Sequence, residues 1–412
     1  MIPFDRLTLS NGLRVLHHHD TVTRMVAVNL LYGVGSRCEA PHRTGLAHLN
    51  EHLMFSGSAH APSFDDALQV AGGTANAWTS VDATNYYEVL PAHNVATALW
   101  LERDRLLHLT LAPDSVEVQR RVVTEEFKQR CLNVPYGDLN HLAHKLAYDV
   151  HPYRWPTIGA DLGDIAAITR DDILAFREKY YAVDNAILCV AGNVTREQAF
   201  DLAERWFGDI PSAHVPVVQL PAEPPQRGPR ELEVTRDVPG DVLQMAFHMC
   251  GRCHPDFVVC DLISDLLANG KSARFTRNIL GVCDTFAELD AAVEGTIDPG
   301  LFVVRGRLAP GQSMAEGEKL IWRELHRLVH EAASPNEIAK CANKYQSTSC
   351  FENLGCLPKA TRLCQCEQLG DAALANTELQ RYRAVEPADV QRVAAELFVS
   401  QACSTVRYFK RQ

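Results

Sequence analysis

The sequence predicts an α+β protein built from two similar α/β-sandwich domains, and three observations carry that prediction. Apolar, strand-like runs alternate with helical patterns along the chain. The composition breaks at "PSAHVPVVQLPAEPPQRGPRELE", residues 211 to 233, whose six prolines cannot sit inside helices or central strands. The stretches on either side read as weak copies of one another. A chain of 412 residues is also longer than one hydrophobic core usually serves. The expected division is residues 1–212 as a first domain, 213–232 as a linker and 233–412 as a second.

The chain begins "MIPFDRLTLSNG", with no basic start, apolar core or small-residue cleavage site, and no stretch approaches the roughly 18 apolar residues of a membrane span. A cytoplasmic protein without a membrane partner is expected. The net charge of −11, with no run of basic residues, argues against a nucleic-acid partner.

Next comes "HLNEHLMFSG", His48 to Gly57, inside a helix opening at Thr44 or Gly45. Positions i, i+3 and i+4 share a helix face, so His48, Glu51 and His52 project together while Leu46, Leu49 and Leu53 are free to pack. Two imidazoles one turn apart form a bidentate site for a borderline metal such as zinc. A catalytic zinc needs a third protein ligand, often a carboxylate, and Glu51 is placed to take a proton from water. Composition alone can produce such a motif in a chain with 17 histidines, so the third ligand is the test.

"SVEVQRRVVTEEFKQR", residues 115 to 130, supplies it. Read as a helix, it puts Val118, Val122, Val123 and Phe127 on one side with Glu126 in the middle of that face and Glu125 at its edge. A carboxylate in an apolar stripe is costly unless something pairs with it, and a metal would. Glu126 is the expected ligand and Glu125 a solvated helix residue. Gln119 lies two turns earlier on the same face.

In the second half, "MAFHMCGRCHP" (245 to 255) lines up with "NLLYGVGSRCE" (29 to 39), and "VEPADVQRVAAELFVSQACSTVRYF" (385 to 409) with "ITRDDILAFREKYYAVDNAILCVAGNV" (168 to 194). Each member of the latter pair reads as a capped helix leading into a terminal strand. Where the first copy has its polar trio, the second has Ile263, Leu266 and Leu267, so the trio is local to the first half and points to function. The 13 cysteines are scattered and read as reduced thiols. "CGRCH" (Cys250, Cys253, His254) has haem-attachment spacing, but a turn before a helix is the expected reading.

These pieces in one order resemble the pitrilysin and insulin-degrading zinc peptidases, the inverzincins, and within them the half-length chains like mitochondrial processing peptidase. The resemblance rests on "LSNGLRV", "GLAHLNEHLMFSGS", "AGGTANAWTSVDATNYYEVLP", "RRVVTEEF", "HPYRWPTIGADLGDIAAITRDDILAFREKYY", "HPDF" and "GKSARF". It implies one half of a clamshell peptidase holding one Zn2+ per chain on His48, His52 and Glu126, with Glu51 as general base. It implies that "GGTANAWTS" is an edge strand binding a peptide by β-strand addition, with Asn76, Ala77 and Trp78 as contacts.

Two departures follow from the same resemblance. Gln119 stands where family members often have an auxiliary glutamate. The arginine and tyrosine that complete the family's site from the far half are expected near Leu280 and near Asp284 or Phe286, and neither is there unless Arg277 substitutes. The implied partner is a second half-length subunit supplying both, a heterodimer, with a homodimer as the alternative. The competing readings are a non-catalytic or weakly active scaffold subunit, and a structural zinc site with a fourth protein ligand.

Overall fold

The computed structural model describes residues Met1 to Arg411. Its first half builds a sheet from β1 (Asp5–Thr8), β2 (Arg14–His19), β3 (Met25–Tyr32), β4 (Thr74–Thr79), β5 (Thr84–Pro91) and β6 (Ala186–Gly192), in the order β1-β2-β6-β3-β5-β4. The second half builds another from β7 (Arg230–Arg236), β8 (Val242–His248), β9 (Phe286–Val293), β10 (Leu301–Leu308) and β11 (Cys403–Lys410), in the order β7-β11-β8-β10-β9. Without β1 the two sheets have the same order and sense. β2 and β6 run parallel, as do β7 and β11, and every other pair is antiparallel. The duplication expected from the sequence is therefore a duplication of topology.

The terminal strands follow capped helices in both copies. Thr169 and Asp172 close a capping box on Arg170–Tyr180 ahead of β6, and Glu386 and Asp389 do so on Pro387–Leu397 ahead of β11. Residues 211 to 229 carry no helix or strand, as their prolines require. Cys250, Cys253 and His254 lie in a turn ahead of the helix Phe257–Ala268, with the His254 N–H donating to the Gly251 carbonyl at 3.0 Å. The cysteines are free thiols. No helix among the described residues is long and apolar enough to cross a membrane.

The domain boundaries differ from expectation, because two segments change sides. The first compact unit comprises Met1–Lys128, Trp155–Gln219 and Ser349–Thr377, and the second takes Gln129–Arg154, Leu220–Thr348 and the chain from Glu378 onward. The cause is that the central strands are apolar on both faces. All seven residues of β6 are buried, as are the last seven of β3, so a second layer of helix must cover the far side of the sheet. In the first unit the helix Cys356–Gln368 does this, packing Ala360, Leu363 and Cys364 against Leu16, Ala27, Leu31, Ile187 and Ala191. In the second unit the helix Leu139–Ala147 brings Leu139 and Ala143 against Val242, Val406 and Tyr408. Both covering helices lie in the half of the sequence opposite to the sheet they cover.

The "KSARF" turn of the second unit is held by one ion pair. Arg274 is buried and donates to both carboxylate oxygens of Glu337, at 3.1 and 3.3 Å, while Glu337 also accepts from the Ser334 N–H ahead of the helix Pro335–Glu352. Burial works to raise the Glu337 carboxyl, and the Arg274 and Ser334 hydrogen bonds outweigh it, bringing it down to about 2. A depressed carboxyl stabilises the fold above its unfolded value and loses that contribution as pH falls through its folded value. Glu337→Gln should lower stability at neutral pH by about 2–4 kcal/mol, since it leaves a buried guanidinium without its counter-charge. Thermal melts should show a smaller loss between the ordinary carboxyl value of 4.5 and pH 2 than the parent chain suffers.

Candidate active site

The site is built on α1 (Leu46–Leu53), a helix of eight residues. Gly45 opens it at φ +88°, in the left-handed region, and a Cβ there would stand 2.9 Å from the Ile158 carbonyl oxygen, so glycine is required. The Glu39 carboxylate reaches forward to accept the N–H groups of Gly45 (3.0 Å) and Ala47 (2.8 Å). Burial pushes the Glu39 carboxyl well up, and these N–H bonds oppose the shift. Leu46, Leu49 and Leu53 are buried as the helical spacing predicts, and Asn50 joins them beneath the helix, where its side-chain oxygen accepts from Arg177 at 3.5 Å.

His48 and His52 leave the other face of α1, their rings 4.8 Å apart and nearly perpendicular. The third group comes from α3 (Pro113–Phe127), which follows α2 (Val95–His108). Glu126 Oε2 lies 3.7 Å from His48 Nε2 and 3.4 Å from His52 Nε2. Ligands around a tetrahedral zinc with bonds of about 2.0–2.2 Å stand roughly 3.3–3.6 Å apart, so the spacing and the donor set of two imidazoles and a carboxylate both fit that ion. No fourth protein donor belongs to the cluster among the described residues.

Glu51 stands outside the donor cluster and is held by the Thr79 hydroxyl on β4, which donates to its Oε2. Thr79 was missed by the sequence reading, although strand alternation puts it on one side of β4 with Ala77. Glu39 was missed for a different reason. Its cap spans six residues through a loop, outside the three-residue spacing of a capping box.

The face of α3 also differs from expectation. Val116, Val123 and Phe127 are its buried residues, whereas Val118 and Val122 are 53% and 45% exposed. Glu126 and Gln119, both half-buried, lie beside the true apolar stripe, so Glu126 sits at its edge and not, as expected, in the middle of the face. Glu125 is exposed and ion-paired with Lys128 at 2.7 Å, a solvated residue as expected.

Among the described residues β4 is the sheet's edge and pairs only with β5, Asn76 opposite Tyr87, Ala77 opposite Tyr86 and Trp78 opposite Asn85. Asn76 is exposed, and its side-chain oxygen accepts the Ala77 N–H at 2.8 Å. The Trp78 side chain is half-buried and packs against the far-side core.

In the second unit Ile263, Leu266 and Leu267 are fully buried on Phe257–Ala268, core where the first unit has His48, Glu51 and His52. The expected far-half positions are no richer. Arg277 is exposed, Arg274 is committed to Glu337, and Leu280 packs beside the core.

A duplicated α+β chain with a His-x-x-Glu-His helix in one copy only has the architecture of a metallopeptidase half. Residues 14–160 match the profile described as Insulinase (Peptidase family M16), and residues 167–345 match that of the Peptidase M16 inactive domain. The chain belongs to peptidase family M16. It is 34% identical over 275 residues to the zinc protease PqqE of Helicobacter pylori, covering 65% of this chain and 62% of that one. It is 26% identical over 386 residues to the human mitochondrial-processing peptidase subunit beta, covering 90% and 76%. The crystal structure of a protease from Helicobacter pylori superposes with a TM-score of 0.92 at 27% identity, over 99% of this chain and 100% of that one. Against the bacterial zinc proteases it matches, the chain aligns over 46% to 63% of their length.

The two neighbouring glutamates separate the site from its surroundings. Glu126→Gln should weaken zinc binding at least about tenfold, while Glu125→Gln should leave it unchanged, as read by competition with a chromogenic chelator.

Proposed function

We propose that this chain is a zinc-dependent endopeptidase. The observation that carries the reading is the convergence of His48 Nε2 and His52 Nε2 on Glu126 Oε2, with Glu51 beside them and outside the ligand set. When bound there, zinc supplies the Lewis acidity that acidifies water and polarises the scissile carbonyl. Glu51, anchored by Thr79, takes a proton from the attacking water and returns it to the departing amine as the C–N bond breaks. The substrate lies along β4 as an added strand, displacing the Asn76 side chain from the Ala77 N–H. Recognition through backbone groups favours unfolded or short peptides over one side-chain sequence.

The partner in this proposal is a second half-length subunit that closes the clamshell and brings the arginine and tyrosine missing near Leu280 and near Asp284 or Phe286. The name of the human relative, subunit beta, supports such an assembly. A weakly active subunit is the second reading, favoured by glutamine at position 119.

Glu51→Gln keeps both imidazoles and removes only the proton acceptor. Zinc content should be retained and peptide turnover should fall at least about a hundredfold. Turnover near that of the parent chain would remove Glu51 from the chemistry. Light scattering combined with a peptide assay tests the partner, and full activity as a homodimer would overturn the heterodimer.

A further inference from the structure

A second group of donors in the first unit is independent of the site above. His60 follows α1 in the loop after Gly57, and Asp104 and His108 lie one turn apart at the end of α2. Two backbone bonds tie that loop to the helix end. Ala59 N–H donates to the His108 carbonyl at 3.0 Å and Thr110 N–H to the Gly57 carbonyl at 3.1 Å, which together make Ser58 and Leu109 an isolated antiparallel bridge. The three side chains are thus brought together by backbone.

Asp104 is 3% exposed and fixed from three directions. It accepts the Ser58 hydroxyl, the His60 N–H at 3.1 Å and His60 Nδ1 at 2.6 Å. Burial works to raise its carboxyl, and the Ser58 and His60 bonds outweigh it, so the group lies below the usual range and keeps its charge. Ser58 and the His60 backbone account for this carboxylate as a structural brace. They do not account for two imidazoles beside it, His60 and His108, with rings 5.2 Å apart at 75°. One donor atom from each of the three residues lies within 4.8 Å of the others, a spacing that rotation of two exposed rings can close.

We propose that His60, Asp104 and His108 form a second metal site, for a borderline divalent transition ion such as zinc, with water completing the coordination on the solvent side. Two imidazoles and one carboxylate suit such an ion better than calcium or magnesium, which take oxygen ligands, or copper(I), which takes thiolates and thioethers. The C-terminal end of α2 adds its partial negative charge at His108. Asp104 either ligates directly or orients His60 through Nδ1, as outer carboxylates do for metal-bound histidines.

The test is zinc counting by equilibrium dialysis and elemental analysis on the full chain. His52→Ala removes a ligand of the first site, so that the second is read alone. His60 and His108 are exposed, and their replacement by alanine should not disturb folding, which Asp104→Asn could. The parent chain should hold two zinc equivalents and His52→Ala one. Adding His108→Ala or His60→Ala to His52→Ala should remove that one. His108→Ala alone should hold one equivalent and hydrolyse peptide at the parent rate. No zinc on His52→Ala, or a count unchanged by both His60→Ala and His108→Ala, would overturn the proposal.

Discussion

Two turns of helix are too few to persist alone, since nucleation is costly and each further residue adds only one backbone bond. The candidate site nevertheless depends on α1 being held in one place. Glu39 closes its N-terminus by accepting two backbone N–H groups, and Arg177 passes beneath it to Asn50 and the Met54 sulfur. Just beyond its last residue, Phe55 lies against the Arg105 guanidinium, which is buried with Glu88 and Glu102 and stacked on Phe64 and Tyr86. Buried charge of this kind adds little net stability against an apolar equivalent, but it is strongly destabilising to break. Its effect here is to fix where a short helix lies, and with it the direction in which His48 and His52 point.

The sheets impose a second constraint. Strands buried on both faces require two helical layers, and each half of the chain lends one helix to the other's far side. Neither sheet is covered on both faces by its own half of the sequence. The connection through residues 211–229 is therefore one of several covalent crossings rather than a simple hinge between finished domains.

The two copies divide core from chemistry. In the second unit the helix matching α1 buries Ile263, Leu266 and Leu267, each of which gains the transfer free energy of a core aliphatic, about 1.5–3 kcal/mol. In the first, the same positions hold the buried His48, the half-buried His52 and the Glu51 carboxylate, polar groups that give up that stabilisation. The first copy replaces it with polar contacts: Thr79 to Glu51, and Glu126 across from α3.

What the sequence determined by itself was whatever depends on short-range periodicity. The faces of α1, the capped helices before β6 and β11 and the proline-rich break all follow from spacing within about a dozen residues. That Glu126 faces His48 and His52 while Glu125 faces solvent was legible too, although the stripe was drawn around Val118 and Val122, which tertiary packing leaves exposed. Long-range closure was decided only by the fold. No local pattern reveals that Cys356–Gln368 covers the first sheet, that Glu39 turns back to cap α1, or that Thr79 meets Glu51. The same holds for His60 and His108, 48 residues apart in sequence and brought together by the backbone bonds of one loop. Each of these contacts is selected by burial and hydrogen-bond satisfaction across the folded chain, which are properties of the assembled core and not of any window along it.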